Sequence, residues 1–217
     1  MDVADFDIAV FDMDGTLYST DGSVVPAVLE TFREFGLPEP PREEIEDLIG
    51  RPDTHYHEWL RRHGGDRGEE LVEATDRRER MLVGIQGRLY PRAKEMLAEL
   101  RRLGVRTAPL TNAGRGYCYM VLRNFDMEDL FDAVSYFDGG DEGKTGRLRD
   151  LIETLGGGAA VMVGDRFYDF EAARDVGCPS IGVSHGFGNE ELEGADVVVK
   201  GLWGIVELKL RAMARRP

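Results

Sequence analysis

The chain has 217 residues, 42% of them hydrophobic and 31% charged, with a formal net charge of -14, enough for one substantial core or for one core carrying a smaller accessory unit. That charge disfavours a nucleic-acid backbone or an anionic membrane surface as partner and leaves a small charged metabolite open. No apolar stretch reaches the about 20 residues of a spanning helix, and Met1 to Asp5 lack the basic start of a secretion signal, so a cytoplasmic location is expected.

The first predicted element is the apolar run Phe6 to Phe11, a strand that ends in the turn Asp12-Met13-Asp14-Gly15. Residues 19 to 85 carry no strand pattern. Val25, Val28, Leu29 and Phe32 mark one helical face, and Ile45, Leu48 and Ile49 a second. Tyr56, Trp59 and Leu60 mark a third, Leu71, Val72, Thr75 and Leu82 a fourth. This predicts a helical unit over 19–85, inserted into a core made of 1–18 and 86–217 and joined to it by Ser19 to Ser23 and by Gly84 to Gly87. The insert holds 16 acidic and 9 basic residues. His55 and His57 are two apart and share no helical face, which makes them poor zinc ligands. Trp59, Tyr56 and Phe32 read as packing for the insert.

From Arg88 onward helices and strands alternate. Ala93, Met96, Leu97 and Leu100 mark a helix, Val105 to Leu110 a strand, Tyr117, Met120 and Val121 a helix, and Ala133 to Phe137 a strand. A helix on Leu148, Leu151, Ile152 and Leu155, a strand over Ala159 to Val163, a helix over Phe170 to Val176, strands over Ser180 to Val183 and Asp196 to Val199, and a helix over Leu202 to Met213 follow. Such alternation calls for a parallel sheet covered on both faces, an α/β Rossmann-like three-layer fold with a helical cap inserted. His185-Gly186-Phe187-Gly188 reads as a loop, with no dinucleotide fingerprint. Cys118 and Cys178 form no Cys-x-x-Cys pair and read as small apolar residues.

Sheets of this kind place their sites at the carboxyl ends of strands. Asp12 and Asp14 stand at the end of the first, Thr111 and Asn112 close the second, and Asp165 closes the fourth with Asp169 four residues on. Lys144 lies in the polar loop that opens a helix. Carboxylates of Asp12, Asp14 and Asp165 meeting at one point would repel without a cation, and a hard, oxygen-liganded ion such as Mg²⁺ fits. Lys144 and Thr111 would then bind phosphoryl oxygens while Asp12 attacks phosphorus. Asp14 is spaced to protonate the leaving oxygen and afterwards to activate water. Arg51, in a loop of the insert, is a candidate contact to an anionic substrate or else a solvated arginine, and Asn112 is a candidate substrate contact or a turn residue.

Asp12-Met13-Asp14-Gly15-Thr16-Leu17 resembles the first motif of the haloacid dehalogenase superfamily; Thr111, Lys144 and Gly164 to Asp169 resemble its second, third and fourth, in order along the chain. Thr145 follows Lys144 where many relatives carry proline. With a helical cap between the first and second motifs, the chain is similar to phosphoglycolate phosphatases and phosphomutases. The resemblance implies that Asp12 and Asp165 bind Mg²⁺ by side chain, that Asp14 binds it by backbone carbonyl, and that Asp169 supports the site. An acid at position 14 argues against dehalogenation, because halide leaves without a proton. The expected activity is hydrolysis of a small phosphorylated metabolite through an aspartyl-phosphate. A phosphomutase is the alternative within the family. A receiver-like module is disfavoured by the inserted cap, and an idle binding module by the intact acids and lysine.

Overall fold

The computed structural model describes residues 3–140 and 143–215. After β1 (Ile8–Phe11) come β2 (Tyr18–Ser19), four helices α1 (Asp21–Glu34), α2 (Arg42–Glu46), α3 (Asp53–Gly64) and α4 (Gly68–Gln86), and β3 (Arg88–Leu89). The alternating part runs α5 (Ala93–Arg102), β4 (Arg106–Gly114), α6 (Arg115–Asn124), β5 (Ser135–Phe137), α7 (Gly143–Thr154), β6 (Ala160–Gly164) and α8 (Phe167–Val176). It closes with β7 (Ser180–Val183), β8 (Val197–Val199) and α9 (Trp203–Met213).

Six strands form a parallel sheet in the order β5-β4-β1-β6-β7-β8. β1 is central, with Ile8 opposite Arg106 on one side and Ala160 on the other. Its side chains alternate between the faces, as the pleat requires. Ala9 and Phe11 join a cluster built from α5, α6 and α9, whereas Ile8 and Val10 join one built from α7 and α8. These are the three expected layers. A strand apolar on both faces is what a sheet covered on both sides selects.

α1 to α4 pack around a third cluster, in which Phe32 stacks on Trp59 with ring centroids 5.5 Å apart. At the end of α4 the inward position belongs to Val83, while Leu82 is half-buried. The two connections to this bundle are more regular than the sequence suggests. Ser19 pairs with Arg88 and Tyr18 with Leu89 in an antiparallel ribbon, α1 starts at Asp21, and α4 runs through Gly84 to Gln86. Gly87 is the tight point of the ribbon, since a Cβ there would lie 2.5 Å from the Tyr18 hydroxyl. Among the described residues no helix is long and apolar enough to cross a membrane.

Candidate active site

β1 delivers Asp12 to the carboxyl edge of the sheet, where the Asp12 N–H still donates to the Val163 carbonyl at 2.8 Å. The chain then turns at Gly15, whose φ of 87° lies in the left-handed region. A Cβ on Gly15 would sit 2.5 Å from Asp165 Oδ2, so glycine also lets the turn press against the acid that ends β6. Thr16 Oγ1 donates to Asp165 Oδ1 at 3.0 Å and the Phe187 N–H to Oδ2 at 2.8 Å. The loop His185 to Gly188 thus backs the site. A Cβ on Gly186 would lie 2.3 Å from Asp165 Oδ2, and the His185 ring bonds the Thr16 carbonyl at 3.0 Å.

Lys144 stands in the first turn of α7 and not in the loop before it. Its Nζ lies 2.5 Å from Asp12 Oδ1 and 2.6 Å from Asp169 Oδ1. The other oxygen of Asp169 accepts the Arg166 N–H at 3.0 Å, so this side chain caps α8 while it orients the lysine. Asp12, Asp165 and Asp169 each bring an oxygen within 4.8 Å of the other two, and all are buried. One ammonium cannot neutralise three carboxylates. Burial raises Asp12 well above the usual carboxylate range, Lys144 opposes this, and Asp169 and Asp165 add to it. Burial, followed by the charge of Asp169, pushes Asp165 up to about 7. Burial alone would lower Lys144, but Asp12 and Asp169 outweigh it and hold the lysine protonated. Asp12 Oδ2 is shielded from solvent and has no hydrogen-bond partner among the described residues. An unsatisfied buried oxygen beside two more acids is the donor set that a hard divalent cation takes.

Asp14 is placed differently. Its Oδ1 accepts from Thr20 Oγ1 at 2.7 Å and from the Tyr117 hydroxyl at 2.8 Å, and Oδ2 accepts from Thr111 Oγ1 at 3.2 Å. Burial raises its pKa and the three hydroxyls pull it back. The strand that carries Thr111 does not end there. β4 continues to Gly114 with an irregular register after Leu110, and this displaced stretch presents Thr111 and Asn112. Arg147 of α7 fixes it by donating to the Thr111 carbonyl at 2.6 Å and to Asn112 Oδ1 at 2.8 Å. Asn112 Nδ2 reaches across to the Gly50 carbonyl at 3.1 Å.

Of the residues singled out in the sequence, Asp12, Asp165, Asp169 and Lys144 meet directly, and Asp14 and Thr111 bond each other beside them. Asn112 bridges to the helical bundle. Arg51 stands apart, donating to the Asp47 carbonyl and carboxylate at 2.6 and 2.7 Å on the wall of a cavity of about 530 Å³. That cavity opens between the bundle and the carboxyl ends of the strands and reaches Asp14 and Tyr117. Thr20, Tyr117 and Arg147 belong to the site without having been singled out for it, and Thr16 and Phe187 had entered only as members of a motif and a loop. Tyr117 fits the helical stripe of α6, which hides its second role, and the glycines around Phe187 were the only visible signal of that loop.

A parallel sheet with buried acids and a lysine gathered at its carboxyl edge is an α/β arrangement that places a ligand site outside the strand ends. The family model for haloacid dehalogenase-like hydrolases matches residues 6–177, and the chain belongs to that family. It is 29% identical to a phosphoglycolate phosphatase from Neisseria meningitidis, covering 91% of this chain and 88% of that protein. It is also 29% identical to the tyrosine-protein kinase PtkA of Mycobacterium tuberculosis over 85% of this chain; this match spans 64% of the kinase, less than two thirds of its length. The crystal structure of CbbY from Rhodobacter sphaeroides in complex with phosphate superimposes with a TM-score of 0.76 at 24% identity, covering 91% of this chain and 95% of that one.

Proposed function

We propose that the chain is a Mg²⁺-dependent phosphatase that hydrolyses a small phosphorylated metabolite through an aspartyl-phosphate on Asp12. The observation that carries this reading is the buried Asp12 carboxylate, with Oδ1 held by Lys144 and Oδ2 left without a partner. Asp12 and Asp165 would hold the cation by side chain and Asp14 by its backbone carbonyl, with Asp169 in support through Lys144. Once bound, the ion supplies charge neutralisation for phosphoryl oxygens. Lys144 and Thr111, which contact Asp12 and Asp14, are assigned the remaining phosphoryl oxygens.

Asp12 attacks phosphorus as the bond to the alcohol oxygen breaks, and Asp14 gives its proton to that oxygen. Asp14, now a carboxylate, takes a proton from water, whose oxygen attacks the phosphoryl group and returns Asp12 as a carboxylate. A raised pKa on Asp14 supports the first of these roles. We assign residues 19–85 to a separate cap domain, the remainder to the catalytic core, and the cavity between them to the alcohol part of the substrate. Asn112 and Arg51 are its polar contacts, each by exchanging a present partner.

Phosphate release from a panel of phosphorylated metabolites, with Mg²⁺ and with a chelator, tests the reading. Turnover should require the ion and vanish in Asp12→Ala. Wild-type rates in that variant would end the covalent mechanism, and an isomeric phosphate ester in place of free phosphate would mark a mutase.

A further inference from the structure

The cavity is lined by two unlike sets of side chains. One is apolar, with Val24 from α1, Ile45 from α2, Ile49 after it and Met120 from α6. The other is acidic, with Asp53 from α3, Asp76 and Glu79 from α4, and Asp14 from the core. The basic groups that line the cavity do not balance these acids. Arg51 is paired with Asp47, the His57 ring lies 3.3 Å from Asp76, and Arg80 is exposed.

Glu79 is the unusual member. It is only 8% exposed and forms no hydrogen bond or ion pair among the described residues. Burial and the nearby charges of Asp14, Asp76 and Asp53 raise its pKa well above the ordinary range. A second group on the same lining lacks a partner too. The Tyr56 hydroxyl oxygen is shielded from solvent and bonded to nothing among the described residues. A largely buried carboxyl without a partner is uncommon and costly, and Glu79 on the lining of an open cavity calls for a ligand that satisfies it.

We propose that this cavity selects a phosphomonoester whose alcohol carries an ammonium group on an apolar body, with Glu79 as the acceptor for its N–H donors. This rests on the phosphatase reading and names the substrate class for it. An ammonium ion provides the counter-charge that Glu79 lacks, whereas a carboxylate in the same place would meet Asp14, Asp53 and Glu79, with the exposed Arg80 opposing them at Glu79. The apolar lining residues take the methylene groups, and a cavity of about 530 Å³ leaves room for an alcohol larger than a two-carbon acid.

The test compares three propyl phosphates that end in an ammonium, a methyl or a carboxylate group. With Mg²⁺ present, kcat/KM should fall in that order, by about tenfold or more from ammonium to methyl, as one charge-assisted hydrogen bond gives. Glu79→Gln should collapse the ratio between the ammonium and methyl esters. A carboxylate-ended ester used as well as the ammonium-ended one, or a ratio unchanged in Glu79→Gln, would overturn the proposal. Calorimetric titration with 3-aminopropan-1-ol and with 1-butanol separates the pocket from the chemistry. Binding of the amino alcohol alone, weakened about tenfold in Glu79→Gln, would support the pocket even if no ester were hydrolysed, in which case the phosphatase reading fails by itself. Equal affinity for the two alcohols, or no binding of either, would count against the pocket.

Discussion

Asp14 shows how three hydroxyl groups can serve one carboxyl. Burial favours its protonated form, and the hydrogen bonds from Thr20, Tyr117 and Thr111 keep the proton from being held too tightly. A group balanced in this way can donate to a departing oxygen and later accept from water. Asp14→Asn keeps the volume and an acceptor for Thr20 and Tyr117, and the Thr111 hydroxyl can turn to accept from the new amide, so the fold should survive. An alkoxide needs the lost proton and a nitrophenolate does not. Hydrolysis of an alkyl phosphate should therefore fall by about 10²- to 10⁴-fold in Asp14→Asn, and that of an aryl phosphate by much less. Single-turnover release of the alcohol isolates the step in which the acid acts. Equal losses for the two esters would leave Asp14 as a positioning residue and remove its role as the acid.

The segment from Asp47 to Asp53 joins the helical bundle to the sheet through three bonds. Arg166 Nη2 donates to the Asp47 carbonyl at 3.0 Å, Asn112 Nδ2 to the Gly50 carbonyl at 3.1 Å, and the Gly114 N–H to Asp53 Oδ2 at 2.8 Å. Burial raises Asp53 from 3.8 to about 6, and the Gly114 bond opposes the rise. The folded protein therefore binds a proton at Asp53 more tightly than the unfolded chain does. That preference contributes stability in full below pH 4, and the contribution is lost as pH climbs from about 4 through about 6. Asp53→Asn keeps an acceptor for Gly114 and cannot titrate. The melting temperature of the wild type relative to this variant should fall across that window and then level off, whereas a constant difference would disprove the linkage. None of this was legible in the sequence, because a contact between residues 61 apart leaves no local pattern. The same limit hid Tyr117 behind helical spacing and Thr20 in a polar connection, and the ribbon of β2 and β3 is too short to show alternation. β1 with Asp12 and Asp14 was legible because a run buried on both faces must be apolar, and its end is marked by acids that no core would accept. Lys144, Asp165 and Asp169 were found through their order along alternating strands, which the parallel topology converts into nearness.

Across the whole molecule, 41 acidic residues face 27 basic ones, and only four of the basic residues are lysines. Two of those, Lys144 and Lys209, are buried, so the exposed positive charge is almost entirely arginine. Many arginines form surface pairs, such as Arg42 with Glu46 and Arg102 with Glu99, and pairs of this kind contribute little each. Surplus carboxylates are left to repel one another, most densely in the bundle with its 16 acids and 9 basic residues. Salt weakens both effects, but the repulsion extends over many groups and the attraction over few. At pH 7.5 the melting temperature should rise as potassium chloride goes from about 0.1 M toward 1 M, where the Debye length shrinks from about 10 Å to about 3 Å. The control is pH. Near the isoelectric point of about 4.8 the net charge is close to zero and screening has no repulsion to remove. The rise should vanish there if it is electrostatic. An equal rise at both pH values would instead mark exclusion of the salt from the protein surface, and a flat response at pH 7.5 would mean that the arginine pairs already balance the excess.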